Sequence, residues 1–127
     1  MMLVKTTVGP SRIHGIGIFA AQFIPKGTPT WRFEPGFDLE ITPERFAALP
    51  ETARAQVLNY AYRDEKTGNY VLCGDDARFY NHSSDPACGP LPDNPDLCVA
   101  YRDIEEGEEM LTDYGDFDAD ATRKLRA

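Results

Sequence analysis

The 127-residue chain carries 13 basic and 21 acidic side chains, a formal charge of −8, with 42% apolar residues. These are the proportions of one globular domain, able to bury roughly two thirds of its unfolded surface without disulfide or metal staples. No Lys/Arg cluster could follow a phosphate backbone and no run approaches the roughly 18 apolar residues of a membrane span, which argues against direct nucleic-acid or membrane binding and for cationic partners such as Lys-rich peptides.

MLVKTTV (Met2–Val8) reads as a first strand broken by Gly9-Pro10, with no signal-peptide pattern around it. IGIFAA is a second strand, and after the Pro-Lys-Gly turn TPTWRFE is a third. ITPERFAAL has the marks of a helix start, with Thr42 as N-cap and Pro43 at the first helical position. Pro50 interrupts, and ETARAQVLNYAY resumes the helix with Ala53, Val57, Tyr60 and Ala61 on one face. NYVLCG is a short β run, ACGPLPDNPD a loop, LCVAYRDI a strand, and EEMLTDYGD a last strand running into a polar tail. Cys73, Cys88 and Cys98 are odd in number and form no CxxC pair, so free thiols in a cytoplasmic protein without a metal centre are expected. Many short strands and one helical insert predict an irregular, mainly β domain.

Three segments carry chemistry. In His14-Gly15-Ile16-Gly17, two glycines flank one residue just before a strand, where a backbone can approach a ligand that a Cβ would block. In RFYNHSSDP, Arg78 to Pro86, turn formers stand beside an aromatic ring and an imidazole. The third runs from Asp103 through Glu105-Glu106-Gly107-Glu108-Glu109 to Asp113-Tyr114-Gly115; by itself it reads as a hairpin with solvated acids.

In this order and at these separations, HGIGIFA, RFYNHSSDP and DIEEGEEMLTDYG resemble the SET-domain protein lysine methyltransferases, from about Val4 to Phe117. The resemblance implies a β-clip fold with a pseudoknot, in which the Asn81-His82 segment passes beneath a loop made by the last motif. Residues 1–117 are then the domain and 118–127 a short tail. It implies transfer of methyl groups from S-adenosyl-L-methionine to a lysine side chain of a protein, with histones or histone-like proteins among the candidates. Tyr114 is the catalytic tyrosine by this resemblance. Gly15, Ile16, Gly17, Asn81 and His82 are expected to bind the cofactor, with His14 a further candidate. Tyr60 and Tyr62 match a segment supplying a channel or cofactor-contacting aromatic, without the sequence deciding between them. Arg78 and Tyr80 are expected to pack near the site, Asp113 to fix the last loop and Phe117 to cover the adenine.

The reaction so implied needs a neutral amine, and a free lysine of pKa about 10.4 supplies only about 1 in 2,500 at pH 7. A narrow aromatic channel lowers that cost by desolvating the ammonium. Ser84 and Ala87 depart from the family's Cys and Asn, and Thr112 replaces an aromatic that limits methylation, so the channel is expected to have more room. The family's cysteine-rich zinc segments are absent from the sequence, so no zinc is expected. With twelve residues after Gly115, the channel has to be completed by the tail, by a second subunit in a homodimer, or by the substrate. Two other readings stay open: a catalytically weak or inactive module of the same fold that recognises Lys-rich peptides, and an unrelated small β domain.

Overall fold

Ten short strands, three short helices and two 3₁₀ turns make up residues 1–126, the part that the computed structural model describes. β1 (Thr6–Pro10) pairs antiparallel with β2 (Ile16–Ala20). β3 (Pro29–Arg32), β8 (Cys88–Leu91) and β9 (Asn94–Ala100) form a sheet in the order β3-β9-β8. β4 (Leu39–Ile41), β5 (Tyr62–Arg63) and β6 (Tyr70–Leu72) form another in the order β4-β6-β5. The two-residue strands β7 (Asn81–His82) and β10 (Leu111–Thr112) pair in parallel, Asn81 opposite Leu111 and His82 opposite Thr112. This mainly β arrangement is what the sequence pattern and the resemblance implied.

The helical insert forms where its start signals lie. Thr42 Oγ1 accepts from the Arg45 amide at 3.1 Å, and α1 spans Pro43–Ala47. Such a cap contributes about 1 kcal/mol by satisfying an otherwise orphaned donor. α2 (Glu51–Tyr60) stops because Ala61 is extended, at φ −88° and ψ 154°. Of its expected face, Val57 and Ala61 are buried with Ile41 and Tyr70, fastening the insert to the β4-β6-β5 sheet.

The main core lies elsewhere. Ile18, Ile24, Ile104 and Met110 are fully enclosed, with Ala20, Ala87, Cys88 and Ala100 around them. Burying each of these large side chains contributes about 1.5–3 kcal/mol. The same four residues stand on segments joined by main-chain bonds: Ile24 and Ile104 exchange two, at 2.9 and 2.8 Å, and Met110 N–H donates to Ile18 at 2.9 Å. The last motif is thereby laid along β2, on the side opposite β1.

Several expectations are corrected. Gly9-Pro10 do not break the first strand but end it, because an edge strand tolerates a proline whose missing N–H faces away from the ladder. The expected loop ACGPLPDNPD is largely the β8–β9 hairpin, with Pro90 on the edge strand opposite Cys98. FDLEI contributes β4, which was not expected. The last strand shrinks to Leu111–Thr112, because the Asp113 side chain accepts from the Gly115 amide at 2.9 Å and starts a 3₁₀ turn, Tyr114–Asp116. Part of the polar tail is helical, α3 (Ala121–Arg126).

Candidate functional site

A parallel pair as short as β7–β10 has little stability of its own, and further main-chain and side-chain bonds hold it. Ser83 N–H donates to the Thr112 carbonyl and Ala87 N–H to that of Leu111, both at 3.0 Å. The buried Asn81 turns its amide toward the glycine segment, donating to the His14 and Ile16 carbonyls at 3.0 and 3.2 Å and to Glu109 Oε2 at 3.1 Å. Ser11 Oγ lies 2.8 and 2.9 Å from the two Glu109 carboxylate oxygens. All three motifs thus meet at one Asn–Glu–Ser cluster. Glu109 is no solvated acid; the sequence reading missed it and Ser11, which has no motif to announce it.

The two glycines differ in what they do. Gly15 has φ +50° with open space where a side chain would project, the left-handed conformation that favours glycine. A Cβ at Gly17 would instead collide with the Glu109 carboxylate and lie 3.1 Å from Ser11 Cβ. Gly17 is therefore required by the chain's own packing. Open space for a ligand lies at the Gly15 backbone and the 53% exposed Ile16, while the Cβ position at Gly17 is filled by the protein itself.

His82 and Tyr114 form the hinge of the site. The Tyr114 amide donates to His82 Nδ1 at 3.1 Å, which leaves Nε2 as the proton-bearing nitrogen of a neutral ring. Asp113 Oδ1, 3.6 Å from the same Nδ1, is thus a neighbour rather than a bonded partner. The two rings lie 5.2 Å apart. The Tyr114 hydroxyl donates to the Tyr80 carbonyl at 2.7 Å, so its oxygen keeps lone pairs free to accept. Burial, reinforced by Asp118 and Glu109, pushes its pKa up to about 12. At neutral pH it is a phenol, able to orient a cation or a polarised C–H but not to act as a phenolate base.

On the other side of Tyr114 opens a pocket of about 190 Å³. Its aromatic lining is Trp31, Tyr60, Tyr62, Tyr80, Tyr114 and Phe117. Tyr60 and Tyr62 both line it; Tyr62 is edge-on to Trp31 at 6.5 Å and to Phe117 at 5.2 Å, while Phe117 meets Tyr114 at 6.3 Å. Arg78, Thr112, Cys73, Cys88 and Cys98 also line it. Burial raises the thiols to about 12, 11 and 12 for Cys73, Cys88 and Cys98, so they are neutral walls. Five carboxylates (Asp64, Glu65, Asp96, Asp116, Asp118) face three cationic side chains (Lys66, Arg78, Lys124) around the pocket, a balance that favours a cation.

The predicted residues thus fall into two groups that meet at Tyr114. Tyr60, Tyr62, Arg78, Tyr80 and Phe117 line the pocket; Gly15, Ile16, Gly17, Asn81 and His82 do not. That second group combines open backbone at Gly15, tied to the strand by Asn81, with the His82 imidazole next to Asn81 along the strand, features that fit an extended amino-acid and nucleoside ligand such as S-adenosylmethionine. Trp31, Cys98, Asp118 and Lys124 were missed. Each reaches the pocket from outside the motifs, and only Trp31 is a residue type that could have drawn notice.

A family model described as SET domain matches residues 15–115. The N-lysine methyltransferase KMT5A-A of Danio rerio is 33% identical, covering 91% of this chain and 35% of that protein. Histone-lysine N-methyltransferase 2D of Homo sapiens is 28% identical, covering 87% of the chain and 2% of that protein. The chain therefore spans 35% or less of the length of these curated relatives. Among solved structures, the Chaetomium thermophilum Polycomb Repressive Complex 2 bound to GSK126 aligns with a TM-score of 0.70 at 26% identity, covering 97% of this chain and 17% of that one. The same complex in an autoinhibited conformation bound to S-adenosylmethionine aligns at 0.69 and 24% identity, covering 97% and 16%, a likeness of fold. With the family model spanning most of the chain and all three motifs meeting at the Asn81–Glu109 cluster, this protein belongs to the SET-domain family.

Proposed function

We propose that the chain is a protein-lysine N-methyltransferase that uses S-adenosyl-L-methionine. The observation that carries this reading is the neutral Tyr114 phenol, fixed where the Asn81-His82 strand meets an aromatic pocket. Bound S-adenosylmethionine would supply a methyl group on a sulfonium, an electrophile that needs no acid to release its thioether.

The chain's own residues then do the rest. Gly15, Ile16, Asn81 and His82 would hold the donor on the open side, with Gly17 and Glu109 fixing the turn. Tyr60, Tyr62, Trp31 and Phe117 would strip water from an entering lysine side chain, favouring its neutral amine. Tyr114 would accept from that amine and align it; holding reactants in order removes much of the entropic barrier. The surplus of carboxylates around the pocket supports a Lys-rich protein substrate, histones or histone-like proteins included.

Residues 1–117 are taken as the catalytic domain and 118–127 as its tail. Three free thiols support a reducing, cytoplasmic setting. The tail packs beside the pocket within one chain, so a homodimer is not needed to line it.

The test is incubation of cell-lysate proteins with the chain and isotopically labelled S-adenosylmethionine, followed by mass spectrometry. Label on lysine is the expected result. Cofactor binding by calorimetry with no labelled lysine would leave a recognition module in its place.

A further inference from the structure

The C-terminal tail returns to the pocket through residues that no motif marks. Asp118 is 1% exposed in its side chain, and its Oδ1 accepts from the Arg63 and Asp120 amides at 3.0 and 2.9 Å. Ala119 N–H donates to the Arg63 carbonyl at 2.9 Å. Lys124, from α3, donates through Nζ to the Ala61 carbonyl at 2.7 Å and pairs with Asp118 Oδ2. The same ammonium lies 5.6 Å from the centroid of the Tyr114 ring, within the range of a cation–π contact.

Three of these tethers, from Asp118, Ala119 and Lys124, end on one short stretch, Ala61 to Arg63, which contains Tyr62. The tail's own contribution to the lining, Phe117, is wedged between Tyr62 and Tyr114. A buried carboxylate left without its cation is strongly disfavoured. Lys124 is the cation that neutralises this carboxylate and, through Ala61, fastens α3 to the same stretch, beside the Arg123 bond to the Leu58 carbonyl and the Arg63–Asp120 pair.

Building on the methyltransferase reading above, we propose that Lys124 is a positioning residue, a latch that keeps the tail against Tyr62 and so keeps Phe117 and Tyr114 in place as one wall of the pocket. It acts through Asp118, Phe117 and Tyr114 rather than on the substrate amine. The Lys124–Asp118 pair governs how well a lysine side chain is held, while the bond from Tyr114 to Tyr80 governs alignment once it is there.

The experiment compares the full chain with Lys124→Met and Lys124→Arg. One readout is methyl transfer to a histone H3 tail peptide; the other is amide hydrogen exchange. In Lys124→Met the peptide KM is expected to rise about three- to tenfold with kcat within about twofold, the pattern of lost binding rather than lost chemistry. Exchange at the Ala119 amide is expected to quicken about tenfold while the Ile24 and Ile104 amides keep their protection, the mark of a local opening. Lys124→Arg, which keeps the charge, restores both.

Unchanged KM and unchanged Ala119 exchange in Lys124→Met would overturn the latch. So would loss of protection at Ile24 and Ile104, which would make Lys124 a general stabiliser, and so would a lower KM, which would make it an obstruction. If the wild-type chain transfers no methyl group to the peptide, the functional reading is the one in difficulty, and the Ala119 exchange decides the latch without it.

Discussion

The Tyr114 hydroxyl donates a hydrogen bond to the main-chain carbonyl of Tyr80 across 2.7 Å. Tyr80 directly precedes Asn81 and His82, so the phenol is tied to the backbone of the strand that its own amide also grips. The orientation of Tyr114 is thereby set from both ends, by a bond at the ring oxygen and a bond at the main chain. A side chain held this way loses little freedom when a substrate arrives, which is the value of a preorganised group.

Tyr114→Phe keeps the ring and removes the oxygen. Methyl transfer is expected to fall on the order of 10²-fold or more, the usual scale for a positioned polar group in proton or charge management. Affinity for S-adenosylmethionine, read by calorimetry, is expected to stay within a few-fold, because the donor side of the site is untouched. A variant that keeps full turnover would remove Tyr114 from the chemistry.

Gly17→Ala is expected to lose about 1–3 kcal/mol in urea unfolding, the range for overpacking, because the new methyl displaces a carboxylate held by Ser11 and Asn81. The cost should shrink sharply when Glu109→Ala is already present. Such coupling is what a double-mutant cycle measures between groups in contact; strict additivity would show that the collision is relieved elsewhere.

Asn81→Ala leaves the His14 and Ile16 carbonyls and one Glu109 oxygen without their donor. These acceptors are only part-buried, so water can replace some of the lost donors and the expected cost is about 1 kcal/mol. Both the melting temperature and cofactor affinity are expected to drop together, since one amide supports both the strand crossing and the glycine turn. A fall in affinity with no loss of thermal stability would mean that Asn81 serves the ligand alone and not the strand crossing.

Thr112 is 5% exposed and lines the pocket beside Tyr114. Thr112→Phe is expected to fill pocket space and shift lysine products toward fewer methyl groups, as resolved by intact-mass analysis of a modified peptide. The larger ring costs about 1–3 kcal/mol if the wall yields poorly. An unaltered product distribution would show that the added ring points away from the amine.

Alkaline pH should weaken the fold. The thiols of Cys73, Cys88 and Cys98 rise from 9.0 to about 12, 11 and 12 on folding. Between those values the folded chain holds protons that the unfolded chain has released, so unfolding becomes easier with each rise in pH. The stabilisation is complete below about pH 9 and is lost as pH climbs toward 11 and 12. Melting temperatures measured from pH 8 to pH 11 should decline, and replacing Cys73 by Val should flatten the decline.

The three motifs were legible because each is local. His14 to Gly17, Asn81-His82 and Tyr114 could be named from short runs, as could the N-cap at Thr42, whose signal spans one helical turn. The resemblance also indicated that the last two motifs cross. Less legible were the partners of those residues. Glu109 looked like one acid among many until its carboxylate was seen between Ser11 and Asn81, and the packing need for Gly17 showed only once Glu109 was seen against it.

The amino-acid sequence alone determined the family resemblance, the mainly β character and the tyrosine on which the proposed chemistry turns, because these depend on residue types within short stretches. Only the tertiary structure decided that Tyr60 and Tyr62 share one pocket, that Phe117 faces Tyr114, and that Lys124 reaches Ala61 across 63 positions of chain. The physical reason is that hydrophobic burial and charge pairing depend on distance in space, and ten short strands folded around several small sheets bring together side chains whose separation along the chain carries no periodic signal.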